Sequence, residues 1–124
     1  MLIRSSDTRL SETPNAAMTT LASPTLGGAT LAMWRVEMAP GGSGPLHAFD
    51  VDQIWTIESG GGVFRVEESE HVVGAGDTIV LPAGRLRQVH AHAEGGLRAL
   101  AVAQAGARAT MADGADRGVP PWIA

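Results

Sequence analysis

Gly41-Gly-Ser-Gly-Pro-Leu-His47-Ala-Phe49-Asp-Val-Asp-Gln53-Ile-Trp55-Thr-Ile-Glu-Ser-Gly60, taken with Gly76-Asp-Thr-Ile-Val-Leu-Pro82-Ala-Gly84-Arg-Leu-Arg87, is the most informative part of this chain. Strand alternation across the first stretch puts His47, Phe49, Val51, Gln53, Trp55 and Ile57 on one face. Glycine and proline stand where strands would have to turn corners. On either side the same two-residue period recurs. From Thr30 to Met38, Ala32, Trp34, Val36 and Met38 oppose Leu31, Met33, Arg35 and Glu37. Shorter apolar runs at Met18–Ala22, Val63–Val66, His71–Val73, Thr78–Leu81, Leu86 to about His92, and Leu97–Ala103 are separated by turn-forming residues. Ser59–Gly62 reads as a hairpin turn with Val63–Val66 as its return strand. Seven or eight short strands at near-regular spacing predict an all-β antiparallel sandwich or barrel, and no segment before residue 103 sustains a helical period.

Three segments follow. Residues 1–18 are polar and aperiodic, with a breaker at Pro14-Asn15, and are expected to form an extended N-terminal arm. Residues 19–103 make the barrel. Residues 104–124 form a tail whose apolar end, Pro120-Pro121-Trp122-Ile123, is expected to pack on the barrel or on a second subunit; a frayed end with one exposed Trp is the alternative.

The 124 residues bound one domain, and 44% apolar with 18% charged residues is ordinary for a globular chain. No run of 18 or more apolar residues and no signal-like N-terminus is present, so a cytoplasmic location with no membrane partner is expected. Without cysteine, disulfides and thiolate zinc sites are excluded. A net charge of −4, with nine arginines and no lysine, leaves no basic stripe for nucleic acid.

The spacings resemble those of the cupin superfamily, whose first motif has the form G-x5-H-x-H-x(3,4)-E-x6-G and whose second begins G-x5-P-x-G-x2-H. Gly41, His47, Phe49, Gln53 and Gly60 keep every interval of the first; Gly76, Pro82, Gly84 and Arg87 keep those of the second. The resemblance covers roughly residues 30–103. It implies a small single-domain, RmlC-like jelly-roll barrel with an interior pocket, often a homodimer through an edge strand or an N-terminal arm.

Cupins that bind a divalent metal use the two histidines and glutamate of the first motif and the histidine of the second. Carried over, those positions are His47, Phe49, Gln53 and Arg87. One imidazole and one neutral amide remain as ligands, and the guanidinium would repel a cation, so the site reads as degenerate, with no metal and no cofactor. Rescue by His90 or His92 would need a bulge, because His90 lies three residues beyond Arg87 and faces the other way in a regular strand.

The same inward residues describe an apolar, aromatic-walled pocket into which imidazole, amide and guanidinium converge. It suits a small anionic, partly aromatic or unsaturated molecule, with Phe49, Gln53, Trp55 and Arg87 as binding residues. A metal-independent isomerase, cyclase or lyase would use Arg87 as anchor, His47 as a base of depressed pKa, and Gln53 with Arg87 on the developing oxyanion. Two other readings stand beside it: a non-catalytic binding or sensing module, and a metal-dependent dioxygenase or isomerase with unusual ligands. Phe49 and Trp55 as plain core filling, and Arg87 paired with Glu37 or Asp50, are the structural alternatives. The acidic groups Asp50, Asp52, Glu67, Glu68 and Glu70 are expected to be solvated, and His71 to lie at a rim.

Overall fold

The computed structural model describes residues 1–124. Its strands are β1 (Arg9–Glu12), β2 (Ala17–Ala22), β3 (Leu31–Met38), β4 (His47–Phe49), β5 (Gln53–Val66), β6 (Ser69–Gly74), β7 (Thr78–Leu81), β8 (Arg87–Ala91), β9 (Leu97–Gln104), β10 (Ala109–Met111) and β11 (Asp116–Gly118). All pairings between them are antiparallel. The path β1-β2-β3-β9-β5-β8-β4-β10-β11 forms one strongly curled sheet, with β6 and β7 on the free edge of β5. The only helical element is a 3-10 turn at Ser5–Asp7. No helix is long and apolar enough to cross a membrane.

β5 holds the two halves together. Its first half, from Gln53, pairs with β7 and β9; its second half, from Gly61 to Val66, pairs with β6 and β8. The expected hairpin at Ser59–Gly62 is therefore corrected: the strand does not turn back but continues through a bulge between Ile57 and Ser59, passing from one half of the sheet to the other. The glycines serve close approach. A Cβ on Gly60, Gly61 or Gly62 would run into the carbonyl oxygens of Gly96, Val73 and His90 respectively, so neighbouring backbone can lie against these positions only if they lack a side chain.

Alternation fills the interior. Ala32, Trp34, Val36 and Met38 of β3, Leu97, Ala99, Ala101 and Ala103 of β9, and Trp55 and Ile57 of β5 are all buried. Register puts Ala101 between Trp34 and Trp55, and Ala99 between Val36 and Ile57. A small residue on the central strand leaves the volume that two indoles need, the large and small alternation by which small barrels fill their taper. Each large buried apolar side chain contributes roughly 1.5–3 kcal/mol.

Both ends of the chain fold onto this barrel. Residues 1–18 do not form an extended arm: Thr13, Asn15 and Ala16 make a tight side-chain and backbone turn, and β1 pairs with β2 as a hairpin on the edge of β3. The threonine hydroxyl supplies the local hydrogen bonds that Pro14 denies the backbone. After β9, β10 and β11 extend the other edge beyond β4. The final residues then return across the barrel, where Ile123 is fully buried. They are tied down by Thr20 Oγ1 donating to the Trp122 carbonyl (2.8 Å), Arg9 Nη2 donating to the Pro121 carbonyl (2.9 Å), and Ser23 Oγ donating to the Ala124 carbonyl (2.7 Å).

Candidate functional site

β4 and β8 meet with His47 directly opposite Arg87, and β5 begins at Gln53 after the loop that leaves β4. The three side chains converge as a hydrogen-bonded set. Arg87 Nη2 donates to Gln53 Oε1 at 2.8 Å, and Trp55 Nε1 donates to the same oxygen at 3.1 Å. Two donors on one atom assign it as the amide oxygen, which leaves Gln53 Nε2 as a donor without a partner. Arg87 Nε approaches His47 Nε2 at 3.3 Å, while His47 Nδ1 lies 2.8 Å from the Pro45 carbonyl. A guanidinium cannot accept and a carbonyl cannot donate, so His47 is the neutral Nδ1–H tautomer with its Nε2 lone pair turned to Arg87.

Arg87 is 2% exposed and Gln53 1%. Burial pulls the guanidinium below the usual arginine range to about 10, so it keeps its charge at neutral pH. Burial, and then the neighbouring Arg87 charge, lower His47 from 6.5 to about 4. No carboxylate compensates Arg87. The ion pairs of the chain involve Arg35, Arg65, Arg98 and Arg108, and Asp50 accepts instead from the Arg108 amide. What Arg87 does have is the Phe49 ring, whose centroid lies 4.6 Å from its guanidinium carbon. Its Nη1 has no partner.

A cavity of about 270 Å³ opens beside this set. His47, Phe49, Gln53, Trp55 and Arg87, all singled out from sequence, line it together. Phe49 supports the guanidinium and stands edge-on to His47; Trp55 orients Gln53 and stands edge-on to Phe64. The sequence reading missed the rest of the wall. Trp34, Val36 and Met38 face inward from β3, Asn15 and Met18 come from the first hairpin, and Arg117, Pro121 and Trp122 from the last segment. The alternation of β3 could have flagged Trp34, Val36 and Met38; only the folded ends bring in the others. His90 and His92 stay outside. His90 is bonded through Nδ1 to Ser43 (2.7 Å), on the face of β8 opposite Arg87, and His92 Nδ1 accepts two amides in the turn after β8.

At the four positions that carry metal ligands in cupins, each donor atom aimed inward is already taken: His47 Nε2 by Arg87, and Gln53 Oε1 by Arg87 and Trp55. Phe49 supplies no ligand atom, and a fixed positive charge occupies the fourth position. These residues do not fit a divalent ion. No cluster of three or more His, Asp or Glu with metal-site geometry exists elsewhere in the chain.

A curled antiparallel barrel with its polar groups gathered inside, against an apolar cavity, defines the class of small jelly-roll barrels. The chain belongs to the cupin family: the cupin-domain model matches residues 34–103. No curated protein sequence matches it. Among solved structures it is similar to a cupin-2 domain protein from Rhodospirillum rubrum, with 22% identity over 85% of this chain and 74% of that one and a TM-score of 0.71. It is also similar to a polyketide cyclase from Streptomyces resistomycificus, with 20% identity over 84% and 78% and a TM-score of 0.71. A sugar phosphate isomerase of the cupin superfamily from Silicibacter pomeroyi aligns at 22% identity over 80% and 66%, with a TM-score of 0.65. At these identities the likeness is one of fold.

Proposed function

We propose that this protein binds a small organic anion with a flat, apolar body in the barrel cavity, without a metal. One observation carries the reading: Arg87, buried and charged, lines the cavity, has no carboxylate partner and keeps Nη1 without a hydrogen-bond partner. A buried charge left uncompensated is costly, and a carboxylate, enolate or phenolate delivered by a ligand removes that cost. Gln53 Nε2 is a second buried donor without a partner. A carboxylate has two oxygens that can accept from such unsatisfied donors. The tryptophans supply flat apolar wall.

Proton transfer by His47 is supported less well. Its Nε2 lone pair is turned to Arg87, and a base titrating at about 4 has little driving force at neutral pH. His47 serves on this reading to position Arg87, and binding ranks ahead of isomerase, cyclase or lyase activity.

Calorimetric titration with 2-naphthoate and with the uncharged 2-naphthamide tests the proposal. The anion binds and the amide does not, and Arg87→Met removes binding of the anion. Equal binding of both would refute it. So would one equivalent of iron, nickel, manganese or zinc that copurifies and disappears in His47→Ala.

A further inference from the structure

The cavity holds a second cation. Arg117 sits on β11 at the register shift where β10 pairs Ala109 with Gly118 and Thr110 with Asp116. It is exposed, it lines the cavity, and it belongs to none of the chain's ion pairs. Its neighbour Arg108 takes Asp116 at 2.9 Å, which removes the nearest acid on the strand from Arg117. None of the chain's Asp or Glu residues lines this cavity, although the net charge is −4. The acids lie on the outside and the pocket carries only positive charge, one at its buried end and one at its mouth.

We infer that the ligand is a dianion, with an anionic group at each end of a flat apolar body. The inference rests on the anion-binding reading above. Three strand steps separate the two cations, from β8 to β4, β10 and β11, which is about 14 Å along the curled sheet. Both residues line the cavity from that spacing, so the body between the two charges is of one- or two-ring size rather than a single small acid. The inner group meets Arg87 and Gln53, in a space where charge interactions are strong because water is displaced. The outer group meets Arg117 at the water-exposed rim, where a charge pair adds less affinity and is screened by salt.

Calorimetry on the full chain with naphthalene-2,6-dicarboxylate and 2-naphthoate separates the two ideas. The dianion binds more tightly than the monoanion at low salt. Arg117→Gln weakens the dianion by about fivefold and leaves 2-naphthoate within twofold, whereas Arg87→Gln removes both. If the dianion gains nothing, or Arg117→Gln leaves it unchanged or weakens both probes equally, the dianion inference is wrong. Persistent, Arg87-dependent binding of 2-naphthoate in that case keeps the anion pocket intact. Failure of both probes to bind the native protein removes the anion pocket and the dianion with it.

Discussion

Arg87 lies in the barrel at a cost to stability, and that cost is measurable. Its depression to about 10 corresponds to roughly 3 kcal/mol of unfavourable burial, offset in part by Gln53, His47 and the Phe49 ring. Arg87→Met keeps the length of the side chain and removes the charge, so the ligand-free variant should unfold about 1 kcal/mol later than the native protein in urea while losing anion binding. A less stable variant would mean that the charge is already compensated. His47 makes an independent prediction. Its folded pKa of about 4 lies below its unfolded value of 6.5, so between those pH values the unfolded chain binds the proton and the folded one does not. The contribution is fully present above pH 6.5, is lost as pH falls from 6.5 towards 4, and amounts to about 2–3 kcal/mol. His47→Asn, which retains a donor for the Pro45 carbonyl, should flatten that part of the stability curve in urea titrations at pH 7, 5.5 and 4. The identity of these residues was legible in the sequence because motif spacing alone aligns His47, Phe49, Gln53 and Arg87. Their connections were not. Spacing does not reveal that Arg87 takes the His47 lone pair, or that the Phe49 ring lies against the guanidinium, because both depend on the curl that brings β4, β5 and β8 together.

The most demanding element is β5. Alternation identified its two ends, Gln53–Glu58 and Val63–Val66, but a run of glycines has no side chains with which to distinguish a turn from a crossing, and turn chemistry is the more frequent use of such a run. Here tertiary packing overrides it: Gly62 lies so close to the His90 carbonyl of β8 that no Cβ fits. Gly62→Ala must push β5 away from β8 along the Gly62–Ala91 to Val66–Arg87 ladder, and should cost about 3 kcal/mol in chemical denaturation. Gly74→Ala is the control, since a Cβ there meets nothing, and it should cost far less. Displacement of β8 would also carry Arg87 off Gln53, so Gly62→Ala should weaken 2-naphthoate binding although the glycine is outside the cavity lining. The two ends of the chain were hidden for another reason. β1, β10 and β11 are strands of only three or four residues, and each is made by its partner strand more than by its own sequence.

At the scale of the molecule the cavity is the place where these elements meet. Its wall draws on the first hairpin, on β3, on both halves around β5 and on the closing Pro120–Trp122 segment. A ligand seated there contacts both halves around β5 and the closing segment that Arg9, Thr20 and Ser23 hold in place. Binding should therefore stabilise the barrel as one cooperative unit. With free 2-naphthoate at a hundred times its Kd, mass action adds about 2.7 kcal/mol. For a chain of this length each kcal/mol raises Tm by about 4 °C, so a single unfolding transition should move up by about 10 °C. Tryptophan fluorescence reports it directly, because Trp34, Trp55 and Trp122 all line the cavity. Arg87→Met should show no shift under the same conditions. If the ligand instead split the melt into two steps, with only one of them moving, the halves on either side of β5 would be separate folding units and the cavity would belong to one of them.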